Sequence, residues 1–377
     1  CNKAGAELVA VDSNPIDAVW GERPSPPLGA VTIHGVEFSG ESEADKLAQI
    51  RAELTRAGAD ALLTGELSAC AGSCGPGSLH FVNGLFESHR NRAPVVLIAS
   101  QVTSDERDFD FPQEVDFEPI YKQCSVYCAE VRSPGQARRK AAMAAQAALA
   151  KRGVAVLILP VDVSMAPAPD QPDFAVHRAS PVVRPSDSEL DGIAYILNES
   201  RRFAIYGGSG CQGAHDEIVA LADKMKAPVA HTSRAKDFLE YDNPFNVGMT
   251  GLLGTAGGYH TLKNCDTLLL LGCDFAWRQF YPDNARIVQI DIDPSHLGRR
   301  HPIELGAVGN IKDTVAALLP RLKPRTDRAF LDAVDSLLKA VSLDMLLALD
   351  AYFEQASLEK AASLAHYRTV FEMAPLG

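Results

Sequence analysis

Two pairs of cysteines, Cys70/Cys74 and Cys124/Cys128, have a spacing that zinc ligands can adopt. The first pair lies in "GELSACAGSCGPGSLH", residues 65–80, beside a Gly-Pro-Gly turn and His80. A metal site needs four converging thiolates or imidazoles, and about fifty residues of apolar sequence separate the pairs. Free cysteine also packs as a small buried hydrophobe, so no metal ligand is assigned. "GSGCQG" matches G-x-G-x-x-G through Gly208, Gly210 and Gly213, where backbone N–H groups at a helix start can meet a phosphate. The acidic residue expected after the next strand is missing, and "PVAHTSRAK" offers Arg234, a phosphate partner, in its place. A tight strand-to-helix turn is the alternative. Asp291 and Asp293 close "IVQIDID", where a carboxylate can accept ribose hydroxyls or cap the following turn. "GMTGLLG" and "GCDFAWRQFYP" have the composition of loops that let a ligand approach backbone closely, while Phe275 and Trp277 are equally suited to a core or an interface. The ten histidines are scattered, and no H-E-x-x-H, G-x-S-x-G or G-x-x-x-x-G-K-[ST] occurs.

The elements that position these residues alternate. "PVVLIAS", "RRKAAMAAQAALAKRG" and "VAVLILPVD" read as strand, helix and strand, with apolar runs suited to parallel strands buried on both faces. Residues 166–189 are rich in proline and polar residues and form the best linker. After it come helix "GIAYILNESR", strand "RFAIYGG", helix "AHDEIVALADKMK", and strands "PVAHTS", "DTLLLLGCD" and "ARIVQIDID". The pattern predicts a doubly wound, mostly parallel α/β domain. A helical tail is expected from about residue 326.

A chain of 377 residues is long enough for two or three domains. Its net charge of −12 argues against a nucleic-acid partner, which needs a basic face. No apolar run approaches the roughly 20 residues that span a bilayer. Eight cysteines without an export signal read as reduced thiols in a cytoplasmic protein.

From "CAGSCGPGSLHFVNGLFESHRNRAPVVLIAS" onward the sequence resembles the thiamine-diphosphate enzymes, in particular the flavin-containing pyruvate dehydrogenase (quinone) and pyruvate oxidase group. The likeness runs through "FPQEVDFEPIYKQCSVYC", "YGGSGCQGAH", "EYDNPFNVGMTGLLG", "FAWRQFYP" and "IVQIDIDPSHLG", over residues 65 to about 330. "ESHRN" favours this group over the related acetolactate synthases. The resemblance implies an α/β fold with a partial pyrimidine-binding domain at 65–180, a doubly wound parallel-sheet FAD-binding central domain at 181–325 and a helical tail at 326–377. It implies oxidative decarboxylation of pyruvate with thiamine diphosphate, Mg²⁺ and FAD, a quinone acceptor and a homo-oligomer.

Carried onto this chain, Pro76, Gly77 and Asn83 fall on the thiamine side, with Gln113 in the segment matching "FQE", where Pro112 replaces the phenylalanine. Flavin contacts fall on Thr250, Gly251, Leu252 and Leu253, on Cys273, Asp274, Phe275, Ala276 and Trp277, and on Asp291, with Gly208, Gly210, Arg234 and Arg278 as further candidates. Ile50 stands where the family has the glutamate that promotes ionisation of the thiazolium, and Glu53 is a remote substitute. The family's diphosphate-binding domain has no counterpart in the sequence, so impaired turnover is expected; a non-catalytic flavin- or nucleotide-binding fragment is the alternative. Residues 1–64 resemble the interdomain linker of Xaa-Pro aminopeptidases, in "VDSNPIDAVWGERPSPP", and the last residues are similar to the lead-in of PAS domains. Together these predict a chimeric chain, with a peptidase as the remote alternative.

Overall fold

A computed structural model describes the backbone of residues 32–34, residues 56–179 and 181–340, and residues 352, 355 and 360. The chain divides into two compact units, Cys1–Ser180 and Pro181–Gly377.

In the first unit, β1 (Thr32–His34), β2 (Ser68–Gly72), β3 (Val95–Gln101), β4 (Tyr127–Glu130) and β5 (Val154–Pro160) form a sheet of order β1-β2-β3-β5-β4. Every adjacent pair is parallel. The helices are α1 (residues 56–64), α2 (Pro76–Leu79), α3 (Val82–Arg90), α4 (Phe117–Tyr121), α5 (Ala137–Lys151) and α6 (Val161–Met165). Alternate residues of β3 enter opposite cores, which explains its unbroken apolar run. Val95, Leu97 and Ala99 pack with Phe81, Leu85, Phe117 and Tyr121. Val96 and Ile98 pack with Ala144, Ala145 and Ala148 of α5. Because α5 meets the sheet through alanines, backbone and strand approach closely there.

The second unit holds β6 (Phe203–Gly207), β7 (Val229–His231), β8 (Asn246–Met249), β9 (Thr267–Leu271), β10 (Arg286–Asp291) and β11 (Leu305–Val308). Their order is β11-β10-β9-β6-β7-β8, again parallel throughout. Helices α7 (Asp187–Glu199), α8 (His215–Met225), α9 (Lys236–Leu239), α10 (Ala256–Asn264), α11 (Ile311–Leu318) and α12 (residues 329–340) accompany it. The chain runs outward from β6 through β7 and β8, then returns to lay β9, β10 and β11 on the other side. The order therefore reverses between β6 and β9, and at such a switch the connections after neighbouring strands diverge and leave a crevice at their carboxyl ends. The linker gives up its last residues to α7: Ser186 caps the helix, its Oγ accepting from Glu189 N while Glu189 Oε2 accepts from Ser186 N. Proline and serine content hid that start.

Among the described residues no helix is long and apolar enough to cross a membrane. The seven described cysteines are all free.

Candidate functional site

The first unit builds a tight turn at the end of β2. Gly75 has φ +62°, and a Cβ there would lie 2.9 Å from the carbonyl oxygen of Gln113. A Cβ on Gly77 would collide with the Ser73 hydroxyl. Gly75 is thus required by its backbone hand as well as by space, while a side chain at Gly77 would need the Ser73 hydroxyl to move. Ser78 then locks the turn, its Oγ donating to Gly72 O (3.0 Å) and Ser73 O (2.8 Å). From below, the Tyr121 hydroxyl donates to Ser78 O at 2.6 Å. Pro76 stands exposed at the first position of α2, where its missing N–H costs nothing. The structure brings the Gly75–Gly77 turn against the backbone of Gln113, while Asn83 is exposed on the first turn of α3. Ile50 and Glu53 lie outside the described residues.

Cys70 and Cys124 are buried in the same apolar cluster as Phe81 and Tyr121. Burial pushes the Cys70 thiol up to about 12 and the Cys124 thiol to about 11. Burial thus keeps these thiols protonated at neutral pH, in keeping with their place in the apolar core. Glu114 is held in a polar group, its Oε1 accepting from Asp108 N at 2.8 Å and lying 3.8 Å from Arg107 Nε.

The second unit gathers its candidates along the carboxyl edge of its sheet. At the switch, Gly208 N donates to Leu271 O (2.9 Å) and Gly210 N to Gly272 O (3.0 Å). The turns after β6 and β9 touch backbone to backbone: a Cβ on Gly208 would sit 2.8 Å from Cys273 Cα, and one on Gly210 would sit 2.6 Å from Gly272 Cα. The G-x-G-x-x-G glycines Gly208 and Gly210 therefore serve a close approach between two turns. Beside them, Tyr206 is fully buried, stacks edge-on against Phe275 with ring centroids 4.9 Å apart, and donates its hydroxyl to Thr250 O at 3.3 Å. Tyr281 fixes the same loop by donating to Phe275 O at 2.9 Å. Gly251, φ +124°, carries the following turn past the rings of Phe275 and Trp277 at 3.6–3.7 Å from where its Cβ would be.

The loops Thr250–Leu253 and Cys273–Trp277 are thus in contact. Leu253 is 82% exposed, Leu252 66% and Trp277 44%. Among the described residues the buried hydroxyls of Thr250 and Thr232 have no hydrogen-bond partner. Cys273 and Phe275 are core residues, and Ala276 and Arg278 are exposed. Arg234 is exposed in the short helical turn after β7. Asp291 is buried at the end of β10, accepting from Asp293 N at 2.9 Å.

Asp274, in the same loop, is paired with two arginines. Both Arg299 and Arg300 grip its carboxylate through two nitrogens each. Burial pushes this carboxyl up, but the hydrogen bonds and charges of the two guanidinium groups outweigh it and hold it below the usual carboxylate range. A depressed carboxyl contributes stability that is complete above its unfolded value and is lost as pH falls through the folded one. Asp274→Asn is therefore expected to be less stable than wild type in urea at pH 7, with the gap closing below about pH 4. A gap independent of pH between 7 and 3 would show that the pair does not carry that stability.

Sequence reasoning missed Tyr206, Arg299, Arg300 and His296. Tyr206 sits inside an apolar strand run, which announces core and nothing more. The pair "RR" after "PSHLG" was a visible signal, since two adjacent arginines close to a strand-end acid often meet a carboxylate or a phosphate.

The sequence matches the N-terminal TPP binding domain of thiamine pyrophosphate enzymes over residues 52–120, and their central domain over residues 190–318. The chain belongs to the thiamine pyrophosphate enzyme family. It is 50% identical over 279 residues to the "Uncharacterized 42.6 kDa protein in isoamylase 3'region" of Pseudomonas amyloderamosa, covering 74% of this chain and 70% of that one. It is 32% identical to the "Putative thiamine pyrophosphate-containing protein YdaP" of Bacillus subtilis, over 74% of this chain and 48% of the relative. Pyruvate oxidase of Lactiplantibacillus plantarum and acetolactate synthase of Arthrospira platensis are each 27% identical, with 54% and 47% of their lengths covered. The chain thus spans about half the length of these last three relatives. In fold it is similar to the "putative thiamin diphosphate-dependent enzyme isolated from Mycobacterium smegmatis", with TM-score 0.61 and 20% identity over 74% of this chain and 55% of that one.

The family match begins at residue 52, inside the segment read as aminopeptidase-like. Upstream of it, β1 pairs with β2 in the same sheet. The Xaa-Pro aminopeptidase and PAS resemblances gain no support from these matches.

Proposed function

We propose that this chain forms the pyrimidine-binding and central domains of a thiamine-diphosphate enzyme acting on pyruvate or a similar 2-oxo acid, and that its central domain holds FAD. The observation that carries the flavin reading is the edge of the second sheet. Two buried hydroxyls, Thr232 and Thr250, have no hydrogen-bond partner among the described residues, and Leu252, Leu253 and Trp277 stand exposed on the loops of the same edge. That combination suits a molecule with a hydrogen-bonding chain and a flat apolar ring. FAD fits both halves, with Gly208 and Gly210 letting the turns after β6 and β9 close together at the crevice and Arg234 and Arg278 at the rim. In the first unit the Gly75–Gly77 turn would support the thiamine pyrimidine ring, with Gln113 beside it. When bound, thiamine diphosphate supplies carbanion stabilisation and FAD accepts electrons. This chain's residues bind and orient these groups, and the apolar side chains around Trp277 exclude water from the ring.

Oxidative decarboxylation with a quinone acceptor, in a cytoplasmic homo-oligomer with Mg²⁺, is the full reading. An acetolactate-synthase reaction is the second, favoured by relatives of that name at the same identity as pyruvate oxidase. Purified chain is expected to retain the two-band visible absorbance of oxidised flavin after gel filtration. Protein that stays colourless after incubation with FAD would remove the flavin reading. Pyruvate, thiamine diphosphate, Mg²⁺ and ferricyanide separate the two reactions, since ferricyanide reduction marks the first and acetolactate formation without it the second. With Ile50 at the glutamate position, both rates are expected to be low.

A further inference from the structure

Asp291 ends β10 at the carboxyl edge of the second sheet, and among the described residues only one of its carboxylate oxygens is engaged. Oδ1 accepts from Asp293 N at 2.9 Å and from His296 Nδ1 at 3.2 Å. Among the described residues, Oδ2 takes no hydrogen bond. A carboxylate only accepts, so the Nδ1 contact fixes which ring nitrogen of His296 carries the proton facing Asp291. The imidazole is itself clamped. Its Nε2 lies 3.5 Å from Asp293 Oδ2, its backbone N–H donates to Asp293 O at 3.0 Å, and Gln289 Nε2 donates to its carbonyl at 3.2 Å. His296 is only 9% exposed, so it acts through its neighbour and does not reach a ligand.

We propose that His296 is a positioning residue: it locks the Asp291 carboxylate so that Oδ2 faces the ribose hydroxyls of a nucleotide bound at the crevice. An acid at the end of a parallel strand is placed for vicinal hydroxyls, and discrimination depends on how firmly its oxygen is held. This inference rests on the reading of the central domain as a nucleotide site.

ADP and 2′,3′-dideoxy-ADP serve as probes, with binding to the full chain measured by calorimetry. Wild type is expected to prefer ADP by roughly tenfold or more, the worth of hydrogen bonds to a charged acceptor. His296→Ala is expected to weaken ADP roughly five- to tenfold, to leave dideoxy-ADP within about twofold, and so to collapse the preference. His296→Asn, whose amide nitrogen takes the place of Nδ1, restores it. Asp291→Asn loses the preference as well, and the double variant loses no more, because both act through one oxygen. Thermal midpoints check that each variant is folded. If His296→Ala does not fold, the Asn variant and the Asp291 cycle decide. A His296→Ala protein that keeps the ADP preference, or a double variant with additive losses, overturns the role of His296 while the nucleotide site stands. Wild type that binds neither ADP nor FAD removes the nucleotide site, and this inference with it.

Discussion

Gly272→Val is expected to lower the stability of the central unit by about 3–4 kcal/mol and, on the proposed flavin reading, to abolish flavin uptake. Two costs combine at this position. Gly272 has φ +53°, a backbone hand that a β-branched residue adopts only under strain. Its Cβ would also lie 2.5 Å from Gly210 Cα and 2.8 Å from Gly210 C. Those are backbone atoms of a turn already tied by the Gly210 N–Gly272 O bond, so no rotamer change relieves the contact. The turns after β6 and β9 must separate, and with them the crevice at the switch. Two controls separate the contributions. Gly213 has φ +77° with no atom of the described residues within 4 Å of its Cβ position, so Gly213→Ala should cost only the backbone strain, about 1 kcal/mol. Gly208 has φ −110° but faces Cys273 Cα at 2.8 Å, so Gly208→Ala reports the steric part alone. Urea unfolding followed by circular dichroism gives all three values. A Gly272→Val protein as stable as Gly213→Ala would show that the turns are not in contact.

Tyr206→Ala is expected to cost about 3–5 kcal/mol and to weaken flavin binding, although Tyr206 touches no ligand in this reading. The ring fills the core beneath the Thr250–Leu253 turn and stacks edge-on against Phe275, so its removal leaves a cavity under both candidate loops. Tyr206→Phe keeps the ring and removes only the 3.3 Å hydroxyl contact to Thr250 O, an expected loss of about 1 kcal/mol. If the two variants are equally destabilised, the hydroxyl and not the packing holds the turn. If Tyr206→Ala keeps wild-type flavin affinity, the loops do not depend on the core beneath them.

The fold was legible wherever composition follows burial. "VVLIASQ" and "VAVLILP" are continuous apolar runs because each strand feeds two cores, and the alanine-rich stretch between them is the helix that covers one face. β2, residues Ser68–Gly72, was not legible. "SACAG" has small side chains and no β-branched residue, and it is a strand because neighbours on both sides pair with it and all five residues are buried. Likewise Glu199 and Ser200 end a helix that Ser186 begins, yet a proline-rich approach reads as linker.

By itself, the sequence determined the α/β class, the alternation of elements, the switch-point glycines and the acid at the end of β10. Each of these is a local or periodic property, carried by residue type and spacing. Only the tertiary structure decided what those residues touch. It sets Gly208 and Gly210 against Gly272, joins the Thr250 and Cys273 loops over Tyr206, gives Asp274 to two arginines and locks Asp291 with His296. Even the turn within residues 65–80 became specific only when the backbone of Gln113 came against Gly75. Those partners lie from five to about seventy residues apart along the chain, and no pattern of spacing encodes which will meet; the register of the parallel strands and the packing of the loops beyond their ends bring them together.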